Sequence, residues 1–173
     1  VEFFESGAAR ASRMAAAHRW QVRAFDAPPF TLYGLVKPAG AAPVVAVYIE
    51  GDGVAWRDRF SPPPDPTPSD PIALSLALKD PAPAVVYLAR PCQYVARMAP
   101  PATRHCDSRY WTGARFAPEV VAAVDAAIGQ AKRESGAARI RLVGYSGGGV
   151  VAALIAERRD DVELLVTVAA PLD

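Results

Sequence analysis

Short apolar runs alternate with longer amphipathic segments along this chain. Continuous runs rich in β-branched and aromatic residues predict strands over residues 20–25, 30–36, 44–50, 84–89, 139–143 and 162–169. Apolar residues at helical spacing predict a long helix that starts at Pro118, with Gly136 as its C-terminal cap. Shorter helices are predicted from Pro71 through Leu78 and over residues 150–155.

This alternation favours an α/β fold, with a mostly parallel sheet and helices on both faces. The turn-forming residues 26–29 separate the first two strands, so these strands are expected to form an antiparallel pair at one edge. Long irregular connections are expected over residues 51–70, which are rich in proline, and over residues 91–117. The length of 173 residues predicts a single domain, residues 1–173.

Composition and charge narrow the range of partners. Hydrophobic residues make up 51% of the chain and charged residues 21%, which is typical of a globular domain. The 19 basic and 18 acidic residues leave a net charge of +1 without a basic block, so neither a nucleic-acid partner nor an anionic-membrane patch is expected. Every apolar run is much shorter than the roughly twenty residues that span a bilayer, so a transmembrane segment is not expected.

The two cysteines bear on the compartment of the protein. A bond between Cys92 and Cys106 would close a loop of about fifteen residues. Such a disulfide favours an oxidising compartment, namely the periplasm, the cell envelope or the outside of the cell. The alternative is a pair of unrelated thiols in a cytoplasmic protein. Neither a C-x-x-C spacing nor a histidine cluster is present, so no metal and no other cofactor is expected.

The most informative motif is Gly144-Tyr145-Ser146-Gly147-Gly148, which has the pattern G-x-S-x-G. It lies between a strand pattern and a helix pattern, which is the context of a nucleophile elbow. In an elbow the chain turns so sharply that the serine hydroxyl is exposed above the sheet, and glycines flank the serine because side chains there would clash. The alternative is a glycine-rich turn that only needs tight packing.

The order of elements through this motif resembles the α/β-hydrolase fold from its first strand through its sixth. The similarity extends to a group of bacterial α/β hydrolases, often envelope-associated, and is carried by the segments YIEGDGVAW (48–56), LARPCQY (88–94), YWT (110–112) and GYSGGG (144–149). The resemblance implies a serine hydrolase in which Ser146 is the nucleophile and forms an acyl-enzyme. Small esters, thioesters or amides are the implied substrates, with carboxylic-ester hydrolysis expected first.

The resemblance also implies a role for several backbone groups. Gly147 would supply one N–H group of an oxyanion hole. Asp52 or Gly53, in the loop after the third strand, would supply the second, and Glu50-Gly51-Asp52 stands there in place of the His-Gly pair common in this fold.

The sequence departs from the family after Ser146, where the acid and then the histidine of a catalytic triad should follow. The residues from 147 to Asp173 contain acids but no histidine, and both His18 and His105 precede the serine. The last strand would also be an exposed apolar edge, which proteins normally pair or cover. We therefore expect the chain to be the N-terminal part of a larger hydrolase, with its acid and histidine beyond Asp173 or a second chain completing the sheet, and we expect these 173 residues alone to be inactive.

Other residues allow a functional and a plain interpretation. Asp52 could bind a metal, but it has no carboxylate pair or histidine at a suitable spacing. Four aromatic residues could line an apolar cleft or pack in the core, namely Trp56, Tyr94, Tyr110 and Trp111. Four arginines could bind an anionic group, although a solvated face is the preferred interpretation, namely Arg57, Arg59, Arg90 and Arg97.

Three classes of function stay open. The leading hypothesis is a serine hydrolase. The second is a non-catalytic binding module that keeps the fold and the elbow but lacks an aligned base. The third is a nucleotide-binding protein that uses residues 147–149 at a helix N-terminus, although their spacing does not fit G-x-G-x-x-G.

Overall fold

The computed structural model describes residues 4–38 and 40–172. Its helices and strands are α1 Gly7–Ala17, β1 Gln21–Ala27, β2 Phe30–Val36, β3 Val44–Ile49, α2 Ile72–Ala77, β4 Val85–Leu88, α3 Pro118–Ser135, β5 Arg139–Tyr145, α4 Gly147–Ala156 and β6 Val162–Val168. The two long connections are irregular, as predicted, apart from short 3₁₀ turns at Val95–Arg97 and Ser108–Trp111.

The strands form one sheet in the order β1-β2-β4-β3-β5-β6. β2 is antiparallel to both β1 and β4, whereas β4, β3, β5 and β6 are parallel to one another. Ile49 at the end of β3 lies opposite Leu88 of β4 and Gly144 of β5. The loops that follow these three strands therefore leave the sheet at the same edge, and the predicted antiparallel edge pair and parallel core are confirmed.

Each face of the sheet has its own apolar core. On one face, α3 and α4 pack against alternate strand residues such as Val47 and Leu142. On the other face, α1 and α2 pack against the intervening residues, such as Tyr48 and Tyr87. Helices on both faces explain why the parallel strands are apolar at nearly every position rather than at every second one.

The edge strand β6 is less covered than the other parallel strands. The exposed fractions of Leu164, Leu165 and Val166 are 48%, 37% and 38%. The apolar edge expected from the sequence is therefore present in the described residues.

The helix α1 is absent from the sequence prediction, which starts the fold with a strand. Its buried residues are Ala11 and Ala15, so small side chains make the contact with the sheet and no stripe of large apolar residues marks the helix. The local signals for a helix are nevertheless present, because alanine has the highest helix propensity and Ser6 caps the first turn by accepting a hydrogen bond from the Ala9 N–H at 3.1 Å. α4 begins directly after Ser146, so the three glycines 147–149 form its first turn.

A disulfide joins Cys92 and Cys106, whose Cα atoms are 5.6 Å apart. This outcome confirms the pairing considered from the sequence. Cys92 is buried just after β4 and has a positive φ of 71°. The bond thus ties the turn that follows β4 to the middle of the second long connection.

We expect the double substitution Cys92→Ser with Cys106→Ser to lower the free energy of unfolding by about 3 kcal/mol, because the loop of about fifteen residues would no longer be closed in the unfolded chain. Urea denaturation with and without reductant measures this. The unsubstituted protein should lose stability on reduction and the double variant should not respond, so equal curves for the two proteins in oxidising buffer would contradict the prediction.

Candidate active site

Ser146 occupies a sharp turn between β5 and α4. Its backbone angles are φ 50° and ψ −124°, a region that residues other than glycine rarely adopt. The Ser146 N–H donates to the carbonyl oxygen of Val168 at 2.8 Å, and the Gly149 N–H donates to the Ser146 carbonyl at 2.9 Å. Hydrogen bonds on both sides thus hold the strained serine between strand and helix.

Glycine is required on both sides of Ser146 because the neighbouring backbone leaves no room for a side chain. A Cβ atom at Gly148 would overlap the carbonyl groups of Ile49 and Glu50 at the end of β3, and one at Gly144 would overlap the backbone of Gly148 and Gly149. Neither glycine has the positive φ that favours this residue, so the close approach of backbone segments is the reason for both.

The loop after β3 lies directly against the elbow. A Cβ atom at Gly147 would overlap the carboxylate of Asp52, and one at Gly51 would lie 3.3 Å from the Ser146 Cβ. Gly53 has φ 68° and passes close to the Pro66 carbonyl. The predicted site residues of the elbow and of this loop are therefore brought together.

A cleft of about 440 Å³ opens beside the serine. Its walls include Ser146, Tyr145, Asp52, Gly53, Val54 and Ser69. Three carboxylates border it, those of Glu50, Asp52 and Asp70, and no lysine or arginine lines it among the described residues.

Glu50 is almost fully buried below this cleft, with 1% of its surface exposed. Its Oε1 accepts the N–H groups of Gly51 at 3.0 Å and of Ala73 at 3.4 Å, and its Oε2 accepts the hydroxyl of Tyr87 at 2.8 Å. The carboxylate therefore joins the end of β3, the start of α2 and β4. Nothing in the local sequence around Glu50 indicates this role, because the partners of its carboxylate come from α2 and β4.

Burial is the largest influence on the ionisation of this cluster. It raises the pKa of Glu50 above the ordinary value, although the hydrogen bonds to the carboxylate act in the opposite direction. Burial also raises the pKa of Tyr87 well above the usual range, so its hydroxyl stays protonated and donates to Glu50. The Tyr94 hydroxyl, 3.2 Å from that of Tyr87, is then the donor in their contact.

Two side chains from the turn after β4 hold the loop after β3 from the other side. Gln93 donates from Nε2 to the Gly51 carbonyl at 3.0 Å and accepts the Arg90 N–H at 3.0 Å. The guanidinium of Arg90 lies 3.3 Å from Asp52 Oδ1 and donates to the Arg115 carbonyl at 2.6 Å. Arg115 Nε lies 3.3 Å from Asp52 Oδ2, so two guanidinium groups flank one carboxylate.

The sequence interpretation of the arginines is wrong for Arg90. Only 3% of its surface is exposed. The fold can bury this positive charge because the Asp52 carboxylate pairs with it. Desolvation lowers the pKa of Arg90, and Asp52 raises it by a smaller amount. Arg115, which completes the cluster, lies in the second long connection and has no local sequence signal that marks it.

The four aromatic residues considered from the sequence are also part buried and part exposed. Tyr94, Tyr110 and Trp111 are buried in the two cores, so packing is the correct interpretation for these three. Trp56 is exposed to 52% and is not part of the cleft wall.

Neither histidine reaches the serine. His18 caps the C-terminal end of α1, with Nδ1 3.0 Å from the Met14 carbonyl, and it lies just before β1, the edge strand that is four strands away from β5. His105 borders a pocket with Pro28, Pro29 and Phe30 at the turn between β1 and β2. β2 is three strands away from β5, which is about 14 Å at the usual strand spacing.

Two of the other site hypotheses are also addressed by this geometry. Among residues 4–38 and 40–172, no group of three His, Cys, Asp or Glu side chains could hold a metal ion. The Asp52 carboxylate occupies the space beside Gly147 at the N-terminus of α4, which a phosphate would need in a nucleotide site. None of the helices in the described part of the chain combines the length and the apolar character that crossing a membrane requires.

The strand order, the helices on both faces and the serine turn after β5 define an α/β-hydrolase fold, as the resemblance implied. Solved structures of an esterase from Pyrococcus furiosus in two crystal forms are similar to this chain, with TM-scores of 0.53 and 0.55 at 14% and 13% identity. The matches cover 87% and 93% of this chain but 50% and 52% of the esterase. This chain thus spans about half the length of that esterase.

An acylaminoacyl peptidase from Pyrococcus horikoshii is also similar, with a TM-score of 0.50 at 13% identity over 83% of this chain and 22% of the peptidase. No family model and no curated protein sequence matches the chain. At these identities the similarity establishes the fold.

We expect Gly148→Ala to destabilise the protein by about 1 to 3 kcal/mol or more, because its Cβ would overlap the Ile49 and Glu50 carbonyl groups. Thermal and urea unfolding measure the loss, which should appear despite the higher helix propensity of alanine. Gly113→Ala is the matched control, because nothing lies within 4 Å of a Cβ at that position. Equal stability of the two variants would contradict this account of the elbow.

The buried Glu50 predicts a specific pH dependence. Because its pKa is raised in the folded state, the folded protein binds more protons than the unfolded chain above the ordinary value of 4.5. The contribution of Glu50 to stability is therefore present below this pH and is lost as the pH rises through the folded pKa. Gln cannot ionise and can still accept the Gly51 and Ala73 N–H groups, so Glu50→Gln should gain stability relative to the unsubstituted protein as the pH rises.

Urea titrations of both proteins at several pH values from about 4 to 8 test this. A buried carboxyl group usually titrates within about this pH range. Glu157→Gln, at an exposed position after α4, is the control. A stability difference between Glu50→Gln and the unsubstituted protein that does not change with pH would show that Glu50 ionises normally.

Proposed function

We propose that the protein of which this chain forms part is a serine hydrolase that cleaves small carboxylic esters, with Ser146 as its nucleophile. The observation that carries the proposal is the strained turn at Ser146, whose φ of 50° costs stability and is maintained by glycines that leave room for the β3 backbone. A turn that served only to connect β5 with α4 would not need a serine in this conformation beside an open cleft.

The proposed oxyanion hole consists of backbone N–H groups from both sides of the serine. Gly147 is the first residue of α4, so its N–H has no acceptor within the helix. The loop with Asp52 and Gly53 packs against Gly147, and Glu50, Gln93 and Arg90 hold this loop in place. Such donors, fixed before the reaction, stabilise the negative charge of a tetrahedral intermediate.

The base and the acid of the proposed mechanism come from outside these 173 residues. Both histidines of the chain are remote from Ser146, and serine attacks an ester only when a base removes its proton. We therefore propose that the chain alone is inactive toward esters. The disulfide supports a location in the periplasm, the cell envelope or outside the cell, because such bonds persist in oxidising compartments.

A non-catalytic module with the same elbow is the alternative, and an active-site probe separates the two. We expect the protein purified from its natural source to gain one fluorophosphonate adduct on Ser146, seen by intact mass and peptide mapping, because the activated hydroxyl attacks phosphorus and displaces fluoride. The Ser146→Ala variant should gain none, and Ser75→Ala, which changes a serine of α2, should label like the unsubstituted protein.

Absence of an adduct on the complete protein would support the binding module. Hydrolysis of a short p-nitrophenyl ester by the 173-residue chain, with loss of activity in Ser146→Ala, would contradict the proposal that its base lies elsewhere.

A further inference from the structure

The proline-rich connection after β3 forms a closed projection beside the cleft, residues 54–66, which we call the finger. At its base the Val54 N–H donates to the Pro66 carbonyl at 3.0 Å. Nearer its tip the Arg57 N–H donates to the Ser61 carbonyl at 2.8 Å. The two hydrogen bonds close the finger at two levels, so its tip has a defined conformation.

The base of the finger is fixed to the rest of the molecule. Trp111 is buried and donates from Nε1 to the carbonyl of Pro63 at 3.1 Å. Gly53, just before the finger, has φ 68° and approaches the Pro66 carbonyl so closely that no side chain fits there. A projection anchored in this way loses little conformational freedom when it binds a surface.

The tip carries two large aromatic side chains in solvent. Trp56 is exposed to 52% and Phe60 to 83%, whereas Trp20 and Trp111 are exposed to 7% and 4%. The guanidinium carbon of Arg59 lies 5.9 Å from the centre of the Phe60 ring. Exposed aromatic residues grouped on one projection mark an interaction surface more strongly than isolated ones.

Part of the tip backbone is hydrogen-bonded within the finger, as the Arg57 N–H already shows. Asp58 Oδ1 accepts the N–H groups of Phe60 at 2.8 Å and of Ser61 at 3.0 Å. Each N–H group with an acceptor inside the finger lowers the cost of moving the tip to the boundary between lipid headgroups and acyl chains, because that group is not desolvated without a partner.

The charges of the tip complement an anionic surface. Arg57 and Arg59 are exposed and flank Asp58, which leaves one positive charge in excess at the tip, whereas Asp65, the other acid of the finger, lies near its base. Tryptophan at the headgroup level and arginine paired with anionic lipid are the usual contacts of proteins at a membrane interface. A partner protein would need a complementary pocket, whereas a lipid surface requires only this local combination of aromatic rings and cations.

We propose that the finger docks the protein on a lipid surface that carries anionic headgroups, with Trp56 and Phe60 in the interface and Arg57 and Arg59 on the headgroups. The finger begins at Val54 and Ala55, which line the cleft beside Ser146, so docking brings the cleft to the membrane. Composition does not reveal this surface, because two arginines do not form a basic block. The docking is independent of hydrolysis by Ser146 and is tested by binding alone.

The test uses the full chain and vesicles of ether-linked lipids, which no ester hydrolase can cleave. One set contains phosphatidylcholine alone, and the other contains phosphatidylcholine mixed with phosphatidylglycerol. We expect cosedimentation with the anionic vesicles and a blue shift of tryptophan emission. Trp56→Phe should keep the binding and lose the shift, because the two remaining tryptophans are buried.

Paired variants identify the surface. Trp56→Ser with Phe60→Ser should lower the vesicle partition coefficient about tenfold or more. Arg57→Gln with Arg59→Gln should lower it about tenfold on the anionic vesicles only. Val22→Ser, which changes an exposed apolar residue of β1, should bind like the unsubstituted protein.

Three results would overturn the proposal. The first is no binding to either kind of vesicle, and the second is equal binding to both kinds. The third is binding that survives the loss of Trp56 and Phe60 but is abolished by Leu164→Ser with Val166→Ser, which would assign the contact to the edge strand β6.

Discussion

Gly148 passes so close to the carbonyl groups of Ile49 and Glu50 that no side chain fits between α4 and the end of β3. This backbone contact sets the separation of the elbow from the loop that faces it. Ser146 is fixed by the same arrangement, because its N–H is bound to the Val168 carbonyl and its own carbonyl accepts the Gly149 N–H. The positions of the nucleophile and of the proposed oxyanion donors thus follow from this contact of α4 with β3 together with the hydrogen bonds of Ser146.

A contact of this kind needs support from both sides, and buried polar groups provide it. Glu50 joins the end of β3 to α2 and β4, while Gln93 and Arg90 join the following residues to the turn after β4. Burying charged groups is costly unless each is paired. Apolar side chains could fill the same volume, but they would not fix the direction of the Gly51 N–H and carbonyl groups. The polar groups therefore contribute to the geometry of the site more than to the stability of the fold.

The difference between local apolar patterns and long-range polar contacts explains which features the sequence can predict. The strands β3, β4 and β5 and the elbow glycines are evident from local patterns, because apolar runs and a G-x-S-x-G turn need no knowledge of distant residues. The helix α1 is missed because alanines, rather than large apolar residues, form its buried face. The burial of Arg90 is missed for another reason: it depends on Asp52, which lies 38 residues earlier in the chain. Polar side chains become structural only through such partners.

Contacts between residues far apart in sequence also set the net charge next to the proposed oxyanion hole. The carboxylate of Asp52 packs against Gly147, and an isolated negative charge there would oppose the charge that develops on a tetrahedral intermediate. Arg90 and Arg115 both lie 3.3 Å from this carboxylate, so the three groups together carry one positive charge. Burial of Arg90 preserves this effect, because solvent screens a buried charge less than an exposed one. Asp52 thus orients the loop by its side chain while the two arginines remove the electrostatic penalty of having it there.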